Sequence, residues 1–263
     1  MAKQNMPEDR PEAEKTGADL RDKVALITGG SRRLGGATAR ELHACGMRLV
    51  IHYRDSSAAA EALRAELCGK RADSVVLIRG DLRETAKVKN LVRQAAAELG
   101  RLDALINNAS AFTPTPLKSA GENDWQLIMD TNLKAPFFLS QAAAPYLKKT
   151  RGAIVNIADI YADRPLPEHS LYCASKAGLV SLTKSLALEL GPEVRVNAIS
   201  PGAILWPEND TDELAHQRLV SRTPLKSAGE AADIARMVRF LLRDAAFVSG
   251  QVIAVDGGRT VVG

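Results

Sequence analysis

Cysteine is scarce in this chain, with three residues among 263, at positions 45, 68 and 173. Three widely separated cysteines give neither a metal-ligand spacing nor an even disulfide framework, which fits a reducing compartment. Cys173 reads as a small packed residue rather than a nucleophile. Long apolar runs are missing too. No stretch reaches the ~18–20 residues that span a bilayer, and the opening MAKQNMPEDRPEAEKTGADL has no apolar h-region. Those charged, proline-containing residues predict a disordered tail over 1–20 ahead of one domain over 21–263, in a cytoplasmic protein. Net charge is +4 and the pI about 9.0, but no compact basic run or basic–aromatic motif occurs. Nucleic acid is therefore a disfavoured partner, and no metal site is expected. What remains is an ordinary globular balance, 46% hydrophobic and 25% charged.

Short runs dense in Val and Ile alternate with longer amphipathic stretches. The pattern predicts strands at 24–27, 48–53, 74–79, 102–106, 153–157, 194–199 and 251–255. Helices are predicted at 34–45, 58–68, 85–99, 122–149, 171–190 and 231–242, the fourth interrupted near Pro136. Strands each followed by a helix give a parallel sheet covered on both faces, a doubly wound Rossmann-type α/β fold. Ligands in such sheets bind at the carboxyl ends of the strands. The octapeptide Thr-Pro-Leu-Lys-Ser-Ala-Gly-Glu occurs at Thr115–Glu122 and again at Thr223–Glu230. Its flanks do not match, so it reads as a shared loop-to-helix solution or coincidence, not a repeat.

After the first strand comes Thr28-Gly29-Gly30-Ser31-Arg32-Arg33-Leu34-Gly35-Gly36, opening a helix. Glycines allow a tight turn and a close approach of backbone N–H groups to a pyrophosphate at the helix N-terminus. Arg33 stands where a third glycine is usual, and its guanidinium is placed to reach a phosphate or a ligand carbonyl. The second strand ends in His52-Tyr53-Arg54-Asp55-Ser56. A basic residue there suits the 2′-phosphate of NADP, an acidic one the ribose of NAD. Arg54, with Ser56 and Ser57 beside it and Arg32 approaching from the glycine loop, points to NADPH, with Asp55 dissenting. Asp81-Leu82 after the third strand and Asn107-Asn108-Ala109-Ser110 after the fourth lie on the same sheet edge.

Tyr172-Cys173-Ala174-Ser175-Lys176 opens a long helix and puts Tyr172 and Lys176 on one face. An ammonium beside a phenol is expected to lower its pKa from about 10 toward a useful range for general acid catalysis. Lys176 also suits the nicotinamide ribose.

On these motifs residues 22–258 resemble the short-chain dehydrogenase/reductase family. The matching elements are Thr28–Gly35, Asp81-Leu82, Asn107-Asn108-Ala109, Asn132, Tyr172-x-x-x-Lys176 and Pro201-Gly202. The resemblance implies that Asn132 helps hold Lys176 through a water, that Pro201 and Gly202 shape the loop over the nicotinamide, and that the chain forms a homotetramer. Two departures stand out. Thirteen positions before Tyr172, where the family usually has serine, stands Asp159, and Asn-Asn-Ala-Gly is replaced by Asn-Asn-Ala-Ser. Asp159, Arg33, His52-Tyr53 and Asn108-Ala109-Ser110-Ala111-Phe112 together resemble pteridine reductases.

That subgroup implies NADPH-dependent reduction of a pterin C=N bond, of the biopterin or folate type. Asp159 and Tyr172 are expected to relay the proton, with Phe112 stacked on the pterin and Ser110 and Arg33 bonding its polar edge. The stretch Trp206–Arg222 is expected to form a substrate lid, with Trp206 against the substrate. The nearest alternative is a carbonyl reductase of the same family, acting on a 3-oxoacyl, sugar or steroid substrate. A non-catalytic NADPH-binding sensor is the alternative from another class, and the intact Asn132, Tyr172 and Lys176 speak against it.

Overall fold

Every residue from Val24 to Ile27 is buried, and burial on both faces is what a central parallel strand requires. In the computed structural model, which describes residues 17–204 and 213–262, this strand (β1, Val24–Ile27) pairs in parallel with β2 (Arg48–Tyr53) and β4 (Ala104–Asn107). With β3 (Val75–Arg79), β5 (Ala153–Ile157), β6 (Arg195–Pro201) and β7 (Val252–Val255) the sheet has seven parallel strands in the order β3-β2-β1-β4-β5-β6-β7. The doubly wound α/β fold read from the sequence is the observed one. The chain runs outward from β1 to β3 and returns to β4, so the sheet reverses direction between β1 and β4. A crevice opens at their carboxyl ends.

Successive strand residues face opposite sides, which builds two helical layers. Ala25, Ile27, Leu49 and Ile51 pack with Leu42 of α1 (Arg33–Ala44), Leu63 of α2 (Ser57–Lys70) and Val238 of α8 (Ala231–Arg243). Val24, Leu26, Val50 and Leu105 pack with Val88 of α3 (Thr85–Leu99), Leu139 of α5 (Ala135–Thr150) and Leu186 of α6 (Ser170–Leu190). No helix of the described residues is long and apolar enough to cross a membrane.

The interruption predicted near Pro136 in the 122–149 helix is a π-helical turn at Asp130–Lys134, which separates α4 (Glu122–Met129) from α5. Pro136 has no N–H to return to the carbonyl of Asn132, so the normal spacing fails one turn earlier. The N–H of Ala135 reaches five residues back, to the carbonyl of Asp130. One correction concerns the tail. Residues 17–20, read as part of a disordered segment, pack on the domain: Leu20 is buried and the N–H of Ala18 donates to the carbonyl of Arg243 at 2.7 Å. Residues 1–16 lie outside the described residues. The lid stretch contains a further helix, α7 (Glu213–Ser221), that hydrophobic periodicity did not reveal.

Both copies of the octapeptide solve the same problem. Each begins with a buried threonine, Thr115 or Thr223, and leads into a helix whose third residue is an aspartate, Asp124 or Asp233. Each aspartate accepts the N–H of the capping residue, Gly121 at 2.9 Å and Glu230 at 2.7 Å. This satisfies backbone donors that a helix start leaves open. The register differs by one residue between the copies.

Candidate active site

At the β1/β4 crevice the two loops are fastened to each other. The Nδ2 of Asn108 donates to the carbonyls of Thr28 (2.8 Å) and Gly29 (3.0 Å), and the Thr28 hydroxyl accepts the N–H groups of Asn108 and Ala109. Gly29 has φ of 58°, a conformation costly to any other residue. At Gly35 an added Cβ would stand 2.3 Å from the Gly29 carbonyl oxygen, so a side chain there would force the turn open. The N-terminus of α1 has no side-chain cap and no acidic residue in its first turn, unlike α4 and α8. Its positive dipole end is left for an anion. Arg33, the first residue of α1, has φ of 51°. A left-handed arginine costs about 1–2 kcal/mol that glycine would not.

Sequence reasoning gave no individual role to His52. This residue is buried, and its Nδ1 accepts the N–H of Gly29 at 3.3 Å while Nε2 donates to the carbonyl of Gly80 at 3.0 Å. Those partners require a neutral ring protonated on Nε2, and burial pushes its pKa down to about 4. His52 therefore ties the glycine loop to the end of β3.

The other expected cofactor residues fall along the same edge. Ser31 and Ser56 hydroxyls are 2.6 Å apart. Arg54 pairs with Asp55 at 2.6 Å on the surface, next to Tyr53 at the strand end. Asp81 is held by Arg83, whose guanidinium keeps the carboxyl at about 2 and hence ionised. Leu82 is a core residue, able to offer a ligand only its backbone. Arg32 precedes α1, and Leu34 lies half-buried against the core. Pro201 ends β6, and Gly202 follows against Asp256.

Beside this edge sits the reacting centre. Asp159 follows β5 in an extended conformation and uses its two oxygens differently. Oδ1 accepts the N–H of Tyr161 at 2.9 Å, capping a short 3-10 turn, and Oδ2 accepts the hydroxyl of Tyr172 at 2.7 Å. Lys176 is fully enclosed and donates to the carbonyl of Ile157 at 2.8 Å, with Nζ 5.6 Å from the centre of the Tyr172 ring. Asn132, in the π turn, clamps the β4 loop. Its Oδ1 accepts the N–H of Ala111 and the Ser110 hydroxyl, and its Nδ2 donates to Ala111 O and Ser175 Oγ. It thus reaches α6 through Ser175, one residue before Lys176.

The electrostatics differ from expectation at Tyr172. Lys176 was expected to lower its pKa. Burial, then the charge of Asp159 and the bond to it, instead raise it well above the usual value. The reason is geometric: the ammonium is turned to Ile157, whereas the carboxylate touches the hydroxyl. Burial also raises Asp159 and lowers Lys176 to about 8. The site therefore keeps a proton on Tyr172, next to a carboxyl group that itself takes up protons more readily than usual.

Phe112 is 43% exposed, so core packing does not explain it. Its ring stacks on His169 at 4.7 Å and meets the Tyr172 ring edge-on at 4.7 Å. His169, just before α6, is a second site residue that sequence reasoning missed. Nothing in its sequence setting marks it. Trp206 lies outside the described residues. Among those residues no group of His, Cys, Asp and Glu is arranged to hold a metal.

Comparison with known proteins agrees with this architecture. Residues 30–260 match the family described as Enoyl-(Acyl carrier protein) reductase. The 3-oxoacyl-(acyl-carrier-protein) reductase FabG of Staphylococcus aureus (strain Mu50) is 37% identical over 241 residues, 90% of this chain and 97% of that protein. The 3-oxoacyl-(acyl-carrier-protein) reductase of Synechocystis sp. is 35% identical over 243 residues, 91% and 97% of the two chains. A similar solved structure is a blue fluorescent protein from a metagenomic library in complex with NADPH. It has a TM-score of 0.86 and 37% identity, and the match covers 92% of this chain and 99% of that one.

Proposed function

Because the chain belongs to the short-chain dehydrogenase/reductase family, we propose that it is an NADPH-dependent oxidoreductase that reduces a ring C=N bond of a pteridine of the biopterin or folate type. The observation that carries this reading is the 2.7 Å bond from Tyr172 to Asp159. Reduction of a ketone develops an alkoxide beside the tyrosine. Two like charges about 4 Å apart repel by about 4 kcal/mol at an effective dielectric of 20, so an ionised Asp159 opposes that reaction. A pterin C=N bond asks for the reverse. Its nitrogen gains a proton and ends neutral, and a carboxyl group that readily protonates, backed by a tyrosine that keeps its proton, is suited to supply one.

The crevice fits a dinucleotide, since glycine is required at Gly29 and Gly35 and no acidic residue stands in the first turn of α1. Arg32, Arg54, Ser31 and Ser56 would hold the 2′-phosphate. The Arg54–Asp55 pair is solvent-exposed and worth little, so a phosphate dianion displaces Asp55 easily. Asp81 would accept from the adenine amino group, while Asn108, Ala109, Lys176, Pro201 and Gly202 would line the nicotinamide end. NADPH, when bound, supplies a hydride to the ring carbon next to the protonated nitrogen. Phe112 offers an aromatic face near Tyr172, Ser110 and Arg33 offer polar contacts, and Trp206 belongs to the expected lid. The homotetramer stays part of this reading. Met129, Leu133, Phe137, Phe138 and Leu182 line a groove of about 340 Å³ on the outer face of α4–α6, with the Asp130–Lys134 ion pair among them, and this mainly apolar face suits a second copy.

A 3-oxoacyl reductase is the second reading, favoured by the names of the curated relatives. NADPH oxidation with dihydrobiopterin, dihydrofolate and a 3-oxoacyl thioester separates the two. Turnover of a pterin supports the first. Turnover of the thioester alone supports the second.

Two further results are expected. His52→Leu removes the acceptor of the Gly29 N–H, and an unsatisfied buried donor costs about 1–3 kcal/mol. NADPH affinity, read by fluorescence titration, should fall about tenfold or more while the fold persists. Unchanged affinity would remove His52 from the loop's support. Lys176 loses its proton as pH rises through about 8, so kcat/KM for NADPH should decline above that value, and Lys176→Met should abolish the decline. Burying the charged form of the same group costs stability below about pH 8, and stability rises with pH from there to 10.5, the window in which the unfolded chain still binds a proton that the native site has released.

A further inference from the structure

Among the described residues, Arg164, Arg222, Arg259 and Val262 line an open cavity of about 640 Å³. Its three arginines come from separate segments. Arg164 follows the turn that Asp159 caps, Arg222 follows α7, and Arg259 lies beyond β7. Arg164 donates to the carbonyls of Arg259 (3.2 Å) and Val262, which fastens the C-terminal loop over that turn. No described carboxylate pairs with any of the three, whereas Arg40, Arg83 and Arg101 each hold one. Asp256, close by in sequence, is engaged by the N–H groups of Gly258 and Thr260 and the Thr260 hydroxyl. Three guanidinium groups around one space repel each other unless an anion joins them.

The cavity adjoins the turn that Asp159 caps, since the N–H of its lining residue Arg164 donates to the carbonyl of Ile160 at 3.1 Å, and Tyr161 lies in that turn. That residue packs in the same small cluster as Tyr172, and its hydroxyl senses the charges of both Asp159 and Arg259. We propose that this cavity is a subsite for the anionic end of the substrate, taking carboxylate or phosphate oxygens on Arg222 and Arg259 while the reacting ring lies at Asp159 and Tyr172. The inference rests on the function proposed above. Under the pteridine reading the anion is the glutamate tail of a folate. Under the 3-oxoacyl reading it is the phosphate of a phosphopantetheine arm. Arg164 is a positioning residue that holds the cavity's outer wall.

The double variant Arg222→Gln/Arg259→Gln leaves the Arg164 tie in place. With it, kcat/KM for dihydrofolate should fall about tenfold or more through KM, while dihydrobiopterin, which has no acidic tail, stays within about twofold. A second arm needs no turnover. Calorimetric titration of p-aminobenzoylglutamate and of 4′-phosphopantetheine into native protein should give binding of one of them, weakened in the double variant, and the one that binds names the source of the anion. If neither probe binds, or if both pterins lose activity equally, the subsite is refuted. If native protein reduces no pterin, the pteridine reading fails while the titrations still decide on the subsite.

Discussion

Tyr172→Phe should lower kcat for pterin reduction about 10²–10⁴-fold, the range associated with a positioned general acid. The substitution keeps the ring that meets Phe112 edge-on and lies beneath Lys176, so cofactor binding should change little. It removes the donor to Asp159 Oδ2 and leaves that oxygen half-buried without it. Stability should drop by about 1–3 kcal/mol, and an equilibrium unfolding curve reads that independently of rate. Single-turnover kinetics at saturating NADPH is the measurement. A variant retaining more than about a tenth of native kcat would mean that Tyr172 does not carry the proton.

Asp159→Ser is expected to act in opposite directions on two substrates. Pterin reduction should fall about 10²–10³-fold, since serine cannot take up and pass on the proton. Ketone reduction should rise, since the carboxylate's repulsion of a developing alkoxide, about 4 kcal/mol at its largest, is gone. The Tyr172 hydroxyl should also titrate lower, because the charge that raises it has been removed. Asp159→Asn serves as the control for shape. It should share the pterin defect. Steady-state kcat/KM for both substrates checks the crossing, and equal losses on both would show that Asp159 acts only as a cap for the turn it begins.

Much of the frame was legible in the residues themselves. β1, α3 and β5 have the predicted bounds, because each is an apolar pattern ended by polar or glycine punctuation. The meeting of Asp159 with Tyr172 was also anticipated, through a family spacing rather than through periodicity. Features that depend on three-dimensional register were not. His52 finds Gly29 and Gly80 only because β2 lies between β1 and β3. The π turn at Asn132 needs the missing N–H of Pro136 to be followed back along a helix. The pKa of Tyr172 was misjudged because four-residue spacing puts Lys176 on the right face without saying which oxygen its ammonium chooses. The arginine cavity joins segments nearly a hundred residues apart. Sequence similarity points to 3-oxoacyl reductases, while the pterin reading proposed above rests on the pairing of Tyr172 with Asp159. Overall identity is dominated by the scaffold, whereas the choice of substrate rests on few positions.

The most direct test is the native protein's ratio of kcat/KM for dihydrobiopterin to kcat/KM for a 3-oxoacyl thioester, both followed by NADPH oxidation. A ratio well above one is predicted, because the carboxylate beside Tyr172 favours protonation of a ring nitrogen and opposes an alkoxide. A ratio well below one would contradict the account and leave Asp159 as a turn cap in a 3-oxoacyl reductase.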